Sequence, residues 1–155
     1  MSTLSALLML HLLALILMAG TTFIDFINYQ MFWKLFNHQR KQADGILSAS
    51  AKFPGLIGIG AGFLIITGVG MIALTHGVWA QQLWFRIKMI FVLLLIFNSI
   101  FYGNRLSARL RAVVRLDAPD LAQQLINLKG KLRTFHLLQL GFLLMIIFLS
   151  AYKFN

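Results

Sequence analysis

Cysteine and glutamate are both absent from this 155-residue chain, and proline occurs only twice. Without cysteine there are no disulfides, thiolate metal sites, iron–sulfur clusters or covalently attached c-type haem. Without glutamate, all acidic character rests on Asp25, Asp44, Asp117 and Asp120, against 14 Lys and Arg and a net charge of +10. A buried cation therefore has few carboxylate partners within the chain. The sequence also lacks a phosphate-binding loop, a nucleophile–base arrangement, a low-complexity tract and a convincing internal repeat, which argues against hydrolytic and nucleotide-driven roles.

What is present is apolar. Hydrophobic residues make up 59% of the chain, and mean hydropathy is +0.81. A soluble domain of this length exposes too much surface to hide so much apolar material, so the lipid bilayer must cover part of it. The length suits one domain. The fold expected is all-α: an integral membrane four-helix bundle with helical cytoplasmic extensions, as a single unit over 1–155.

A spanning helix needs roughly 20 mostly apolar residues. The first runs from about residue 4 to 33, uninterrupted by proline and ending in the interfacial anchor Phe32-Trp33-Lys34. It lacks a basic leader and is too long for a cleaved signal, so it reads as a retained span. The others are expected near 54–75, 83–102 and 135–152. Asp44 is placed to cap a short amphipathic helix before Pro54. RLSARLRAVVR should prolong the third span, and Asp117 with Asp120 should cap a helix leading into the fourth.

The basic residues give an orientation. Lys34, Arg40, Lys41 and Lys52 follow span one, and Arg105, Arg109, Arg111, Arg115, Lys129, Lys131 and Arg133 follow span three, whereas HGVWAQQ has no Lys or Arg. The positive-inside rule puts both basic connections in the cytoplasm and both termini outside it, as for a bacterial inner-membrane protein. The same distribution assigns the charge to headgroups rather than to nucleic acid.

Polar residues within the spans are costly there and mark candidate sites. At 3.6 residues per turn, His11, Met18, Thr22, Asp25 and Tyr29 share one sector of span one. Gln81, Lys88, Ser99 and Tyr102 share a face of span three, with Arg86 on the opposite side, able to snorkel. Depth sorts these groups into two levels. The outer level holds His11 and Lys88, with His76 closing span two. The inner level holds Asp25, Asn98, Tyr102 and His136. Asp25 and His136 are a candidate ion pair or proton relay. His11 and Lys88 also have plain readings, as a helix–helix hydrogen bond and a snorkelling cation. Gly58 and Gly62 form a GxxxG, a helix-packing motif.

Two imidazoles projecting into a bundle are a common support for b-type haem. His11 and His76 are the best pair by depth, with Lys88 and Arg86 placed to offset propionate charge. Copper is the competing ligand, because His and Met suit it.

In HLLALILMAG (His11, Ala19-Gly20), Pro54 with Thr67-Gly68, and WFRIKMIFVLLL (Trp84, Lys88), extending into YGNRL, the chain resembles small four-span membrane proteins related to the HemJ-type protoporphyrinogen oxidases and the copper-resistance CopD domain. The likeness covers most of spans one to three. It implies a b-haem-associated membrane oxidoreductase, in the HemJ case one oxidising protoporphyrinogen IX, with His11 and Lys88 at the family's functional positions. Electrons would pass to haem or a quinone. Two other roles compete: a noncatalytic accessory subunit docked on a larger membrane complex or on copies of itself, and copper handling at the outer face.

Overall fold

A computed structural model describes residues 3–36, 38–116 and 121–152. The described residues form six α-helices and no strand: α1 (Thr3–Leu35), α2 (Arg40–Ser50), α3 (Phe53–Leu74), α4 (Leu83–Phe97), α5 (Asn104–Leu116) and α6 (Leu121–Ala151). A 3₁₀ turn (Val78–Gln81) precedes α4, and a π-helical segment (Asn98–Gly103) joins α4 to α5. Four helical stretches are long and apolar enough to cross a membrane. Large apolar side chains such as Ile16, Ile66, Leu93 and Leu144 stand exposed on them. The chain is an integral membrane protein built as an all-α bundle, because only lipid covers such faces without cost.

The extensions belong to the spans. At 1.5 Å per residue, the 33-residue α1 is about 50 Å long, beyond the roughly 30 Å hydrocarbon core. The 31-residue α6 is continuous through the segment expected as a helical extension leading into span four. At the basic end α1 and α6 pack with α2 and α5 around Phe32, Ala43, Leu110, Val113, Leu128 and Leu132. On α5 those apolar residues face inward while Arg105 and Arg109 stay exposed. This small core resembles that of a soluble protein, formed where water can drive it.

Within the spans the helices associate as two pairs. In one, α1 lies on α3; in the other, α4 lies on α6. All four meet in mid-span around Met18, Ile57, Leu95, Leu143 and Ile146. The close approach of α1 and α3 is at Gly60, where an added Cβ would lie 3.0 Å from the Met18 Cβ and 3.3 Å from the Ala14 carbonyl oxygen. Gly58 and Gly62 have open space instead, so the expected GxxxG contact is moved to the glycine between them.

Two local expectations change. The helix before Pro54 begins at Arg40, with Gln39 at its N-cap, so Asp44 lies inside α2 rather than capping it. Pro54 sits in the first turn of α3, where its missing N–H costs nothing. The π-helical turn adds a residue to the register of span three and rotates the residues beyond it. Tyr102 consequently stands 57% exposed instead of facing the inner level. The proposed Asp117–Asp120 cap lies outside the described residues.

Replacing Gly60 with Val should lower thermal stability in detergent by about 1–3 kcal/mol through overpacking. Gly58→Val should stay within about 0.5 kcal/mol. Circular-dichroism melts of the two variants check this.

Candidate functional site

A cavity of about 320 Å³ lies between the two helix pairs, on the side of the mid-span cluster nearer the chain's N-terminus. Met18, Leu95 and Ile146 form its floor and belong to that cluster. Its walls are mostly apolar, from Leu15, Leu64, Ile72, Trp84, Phe85 and Val92. Leu8, Leu12, Ile65, Val69 and Met89 line it while also standing exposed on the membrane-facing surface, so its mouth opens sideways toward lipid. His11, Lys88 and Ser150 are the polar side chains in its wall.

His11 is held by α3. Its Nδ1 lies 2.8 Å from the hydroxyl oxygen of Thr67. That hydroxyl donates its own hydrogen to the Phe63 carbonyl at 2.6 Å, as threonines in helices commonly do. Its oxygen is then free to accept, so Nδ1 carries the proton and donates. The neutral imidazole is thereby fixed with its lone pair on Nε2, the nitrogen that Thr67 does not engage. Metal-binding histidines are prepared in the same way, by a hydrogen bond at the opposite ring nitrogen. The ring lies beside Gly68, where a Cβ would stand 3.7 Å from His11 Cε1, an ordinary van der Waals contact.

His76 is not brought to this cavity. It follows the last turn of α3, exposed, with φ +50°. The His76 N–H bonds the Ala73 carbonyl at 3.2 Å, and the Gly77 N–H bonds the Ile72 carbonyl at 3.0 Å, which together form a Schellman cap. His76 thus occupies the left-handed position that usually falls to glycine. It also lies eight residues beyond Gly68, about 12 Å along the helix axis. Its place is fixed by ending the helix, not by facing His11. Arg86 is exposed and does not line the cavity, whereas Lys88 does.

The second level lies toward the basic end. Asp25 Oδ2 is 3.3 Å from His136 Nε2. The His136 Nδ1 is 2.8 Å from the Leu132 carbonyl, and Tyr29 stacks on the ring with centroids 4.7 Å apart. The Tyr29 hydroxyl donates to the Lys129 carbonyl at 2.7 Å. These contacts join α1 to α6 and so tie the two helix pairs together. Nearby, the Asn98 amide donates to the Phe135 carbonyl at 3.3 Å and to Gln139 Oε1 at 3.0 Å. Gly103 gives Phe135 its room, since a Cβ there would come within 2.6 Å of the ring.

Thr67 and Gln139 are the residues that the sequence did not single out for these roles. Thr67 carried a signal, as the sole hydroxyl or charged side chain within α3. Gln139 carried a weaker one: alone among the polar groups of the apolar half of α6 it is fully buried, with its Nε2 meeting no acceptor among the described residues.

No family model matches the chain, and no curated protein or solved structure is significantly similar to it.

Glycine at position 76 removes the left-handed strain without altering the cap. His76→Gly should raise stability by roughly 0.5–1 kcal/mol, measured as an upward shift in thermal midpoint.

Proposed function

We propose that the chain binds a haem b or related porphyrin in the lateral cavity and serves membrane redox chemistry there. The observation that carries this reading is His11: an imidazole prepared by Thr67 through Nδ1, in the wall of an apolar cavity that also contains Lys88. A macrocycle of this class is apolar over its faces and anionic at its propionates, matching a mostly hydrocarbon wall with one cation. The volume lies at the lower end of the 300–1,000 Å³ typical of ligand pockets, and the open side lets a flat ligand extend toward lipid.

His11 would hold such a group, the cavity wall offering one imidazole for it. Met18, Met71 and Met89 also line the cavity and would be the further donors that copper requires. The mostly apolar wall with a single cation suits the tetrapyrrole better than copper handling. A bound haem b would supply one-electron redox chemistry. The protein's part is to orient the ligand through His11, to offset carboxylate charge through Lys88, and to exclude water with Trp84, Phe85 and the mid-span cluster.

The resemblance to HemJ-type oxidases extends the proposal. The two positions that it singles out, His11 and Lys88, line the same cavity. In that reading the cavity would take protoporphyrinogen IX from the lipid side in place of haem, and its oxidation to protoporphyrin IX would pass both electrons and protons to an acceptor such as a membrane quinone. The bacterial inner membrane, with the basic end in the cytoplasm and both termini outside, is the setting we propose.

Protein purified from haem-replete cells should show a b-type reduced-minus-oxidised spectrum, and His11→Ala should abolish it. Thr67→Val should weaken haem affinity about 10–100-fold, as loss of an orienting hydrogen bond does. His76→Ala should leave the spectrum unchanged. A colourless wild-type preparation from such cells would overturn the proposal.

A further inference from the structure

We infer that Asp25 and His136 share one exchangeable proton, and that this proton latches the two helix pairs together at the basic end. The pairing does not depend on what occupies the outer cavity. A backbone carbonyl can only accept, so the Leu132 oxygen, 2.8 Å from His136 Nδ1, requires a hydrogen on that nitrogen. A neutral imidazole would then present a lone pair on Nε2. Asp25 Oδ2 lies 3.3 Å from Nε2, and an ionised carboxylate also presents only lone pairs. The contact closes only if one further proton lies between the two atoms. The site is either imidazolium beside carboxylate or imidazole beside carboxylic acid, and in both forms the pair holds that proton jointly.

A route to it exists. Asp25 and His136 border a chamber of about 40 Å³, enough for a water molecule or a few. Asn28, Ser50 and Ser107 add polar groups to its wall. The titratable or charged side chains facing it are Asp25 and Tyr29 from α1, Arg111 from α5 and His136 from α6. The parts of α2 and α3 that line it carry no charge. The chamber lies among α2 and α5, the helices of the basic end, and the mid-span cluster of Met18, Leu95 and Ile146 separates it from the outer cavity. Protons therefore reach the pair from the basic side.

Loss of the proton leaves two lone pairs facing each other across the α1–α6 contact, which should separate. The test uses the full chain in phospholipid nanodiscs. Nitrogen-15 spectra of the His136 ring and carbon-13 spectra of the Asp25 carboxyl would be followed over about pH 5–8, the range in which histidine ordinarily changes charge. Since the chain has no cysteine, Gln30→Cys and Asn127→Cys, both at exposed positions, allow spin labels to be placed on α1 and α6.

At the acidic end of this range, one proton beyond that on Nδ1 should be found on the pair. The label separation should stay short while it is held and lengthen as it is lost. Asp25→Asn should remove the proton step, and His136→Gln serves as a second variant should the first fail to fold. Tyr29→Phe should retain the step, because its hydroxyl bonds the Lys129 carbonyl and neither member of the pair. A neutral imidazole beside an ionised carboxylate throughout the range would overturn the inference. So would a label separation indifferent to the proton's loss.

Discussion

A bilayer offers no hydrogen-bond partners, and the polar part of this structure is shaped by that constraint. Each polar side chain placed within the spans must be answered by another helix or by its own backbone. Thr21, Thr22 and Ser150 take the second course, donating to carbonyls four residues earlier. His11, Asp25, Asn98 and His136 take the first, each bonding a second helix, and His136 also bonds its own helix through Nδ1. The few polar contacts thus set which helices are neighbours and at what height, while the apolar majority is almost indifferent between a neighbouring helix and lipid.

That indifference explains why the bundle divides into pairs. Close packing binds α1 to α3 at Gly60 and α4 to α6 around Phe91 and Phe142. Between the pairs, hydrocarbon supplies little drive for complete closure, and the outer half stays apart far enough to leave the cavity. The basic end is different. There the helices emerge toward water, where burying Phe32, Leu110 and Leu132 is favourable, and a small core draws α1, α2, α5 and α6 together. The molecule is tight where water acts on it and loose where lipid does.

The same physics decides what could be read in the sequence. The existence of four spanning helices was legible because about twenty apolar residues have few alternative fates. The sector of α1 that carries His11, Met18, Thr22 and Asp25 was legible because helical periodicity is rigid over a few turns. Tyr102 was misplaced because the π-helical turn at Asn98–Gly103 breaks that periodicity, and no proline or charge announces it. Gly60 was hidden behind the more conspicuous Gly58 and Gly62 spacing, since only the partner helix determines which glycine is approached. His76 drew attention as a possible ligand, yet its position is governed by backbone geometry at a helix end, which a residue-type argument does not see.

The two polar levels also differ in what they can exchange. The outer cavity opens sideways, so a ligand of the kind proposed would come from the apolar phase and meet His11 and Lys88 from within lipid. The inner chamber is too small for such a molecule and is bordered by the helices of the basic end, so it has room for water, through which the inferred proton would exchange. Met18, Leu95 and Ile146 stand between them and close the direct path. Any influence between the levels would run through α1, which carries His11 nearer one end and Asp25 about 21 Å further along. A helix that long and uninterrupted transmits tilt well, so whatever loosens the α1–α6 contact at the basic end should alter the width of the cleft at the other.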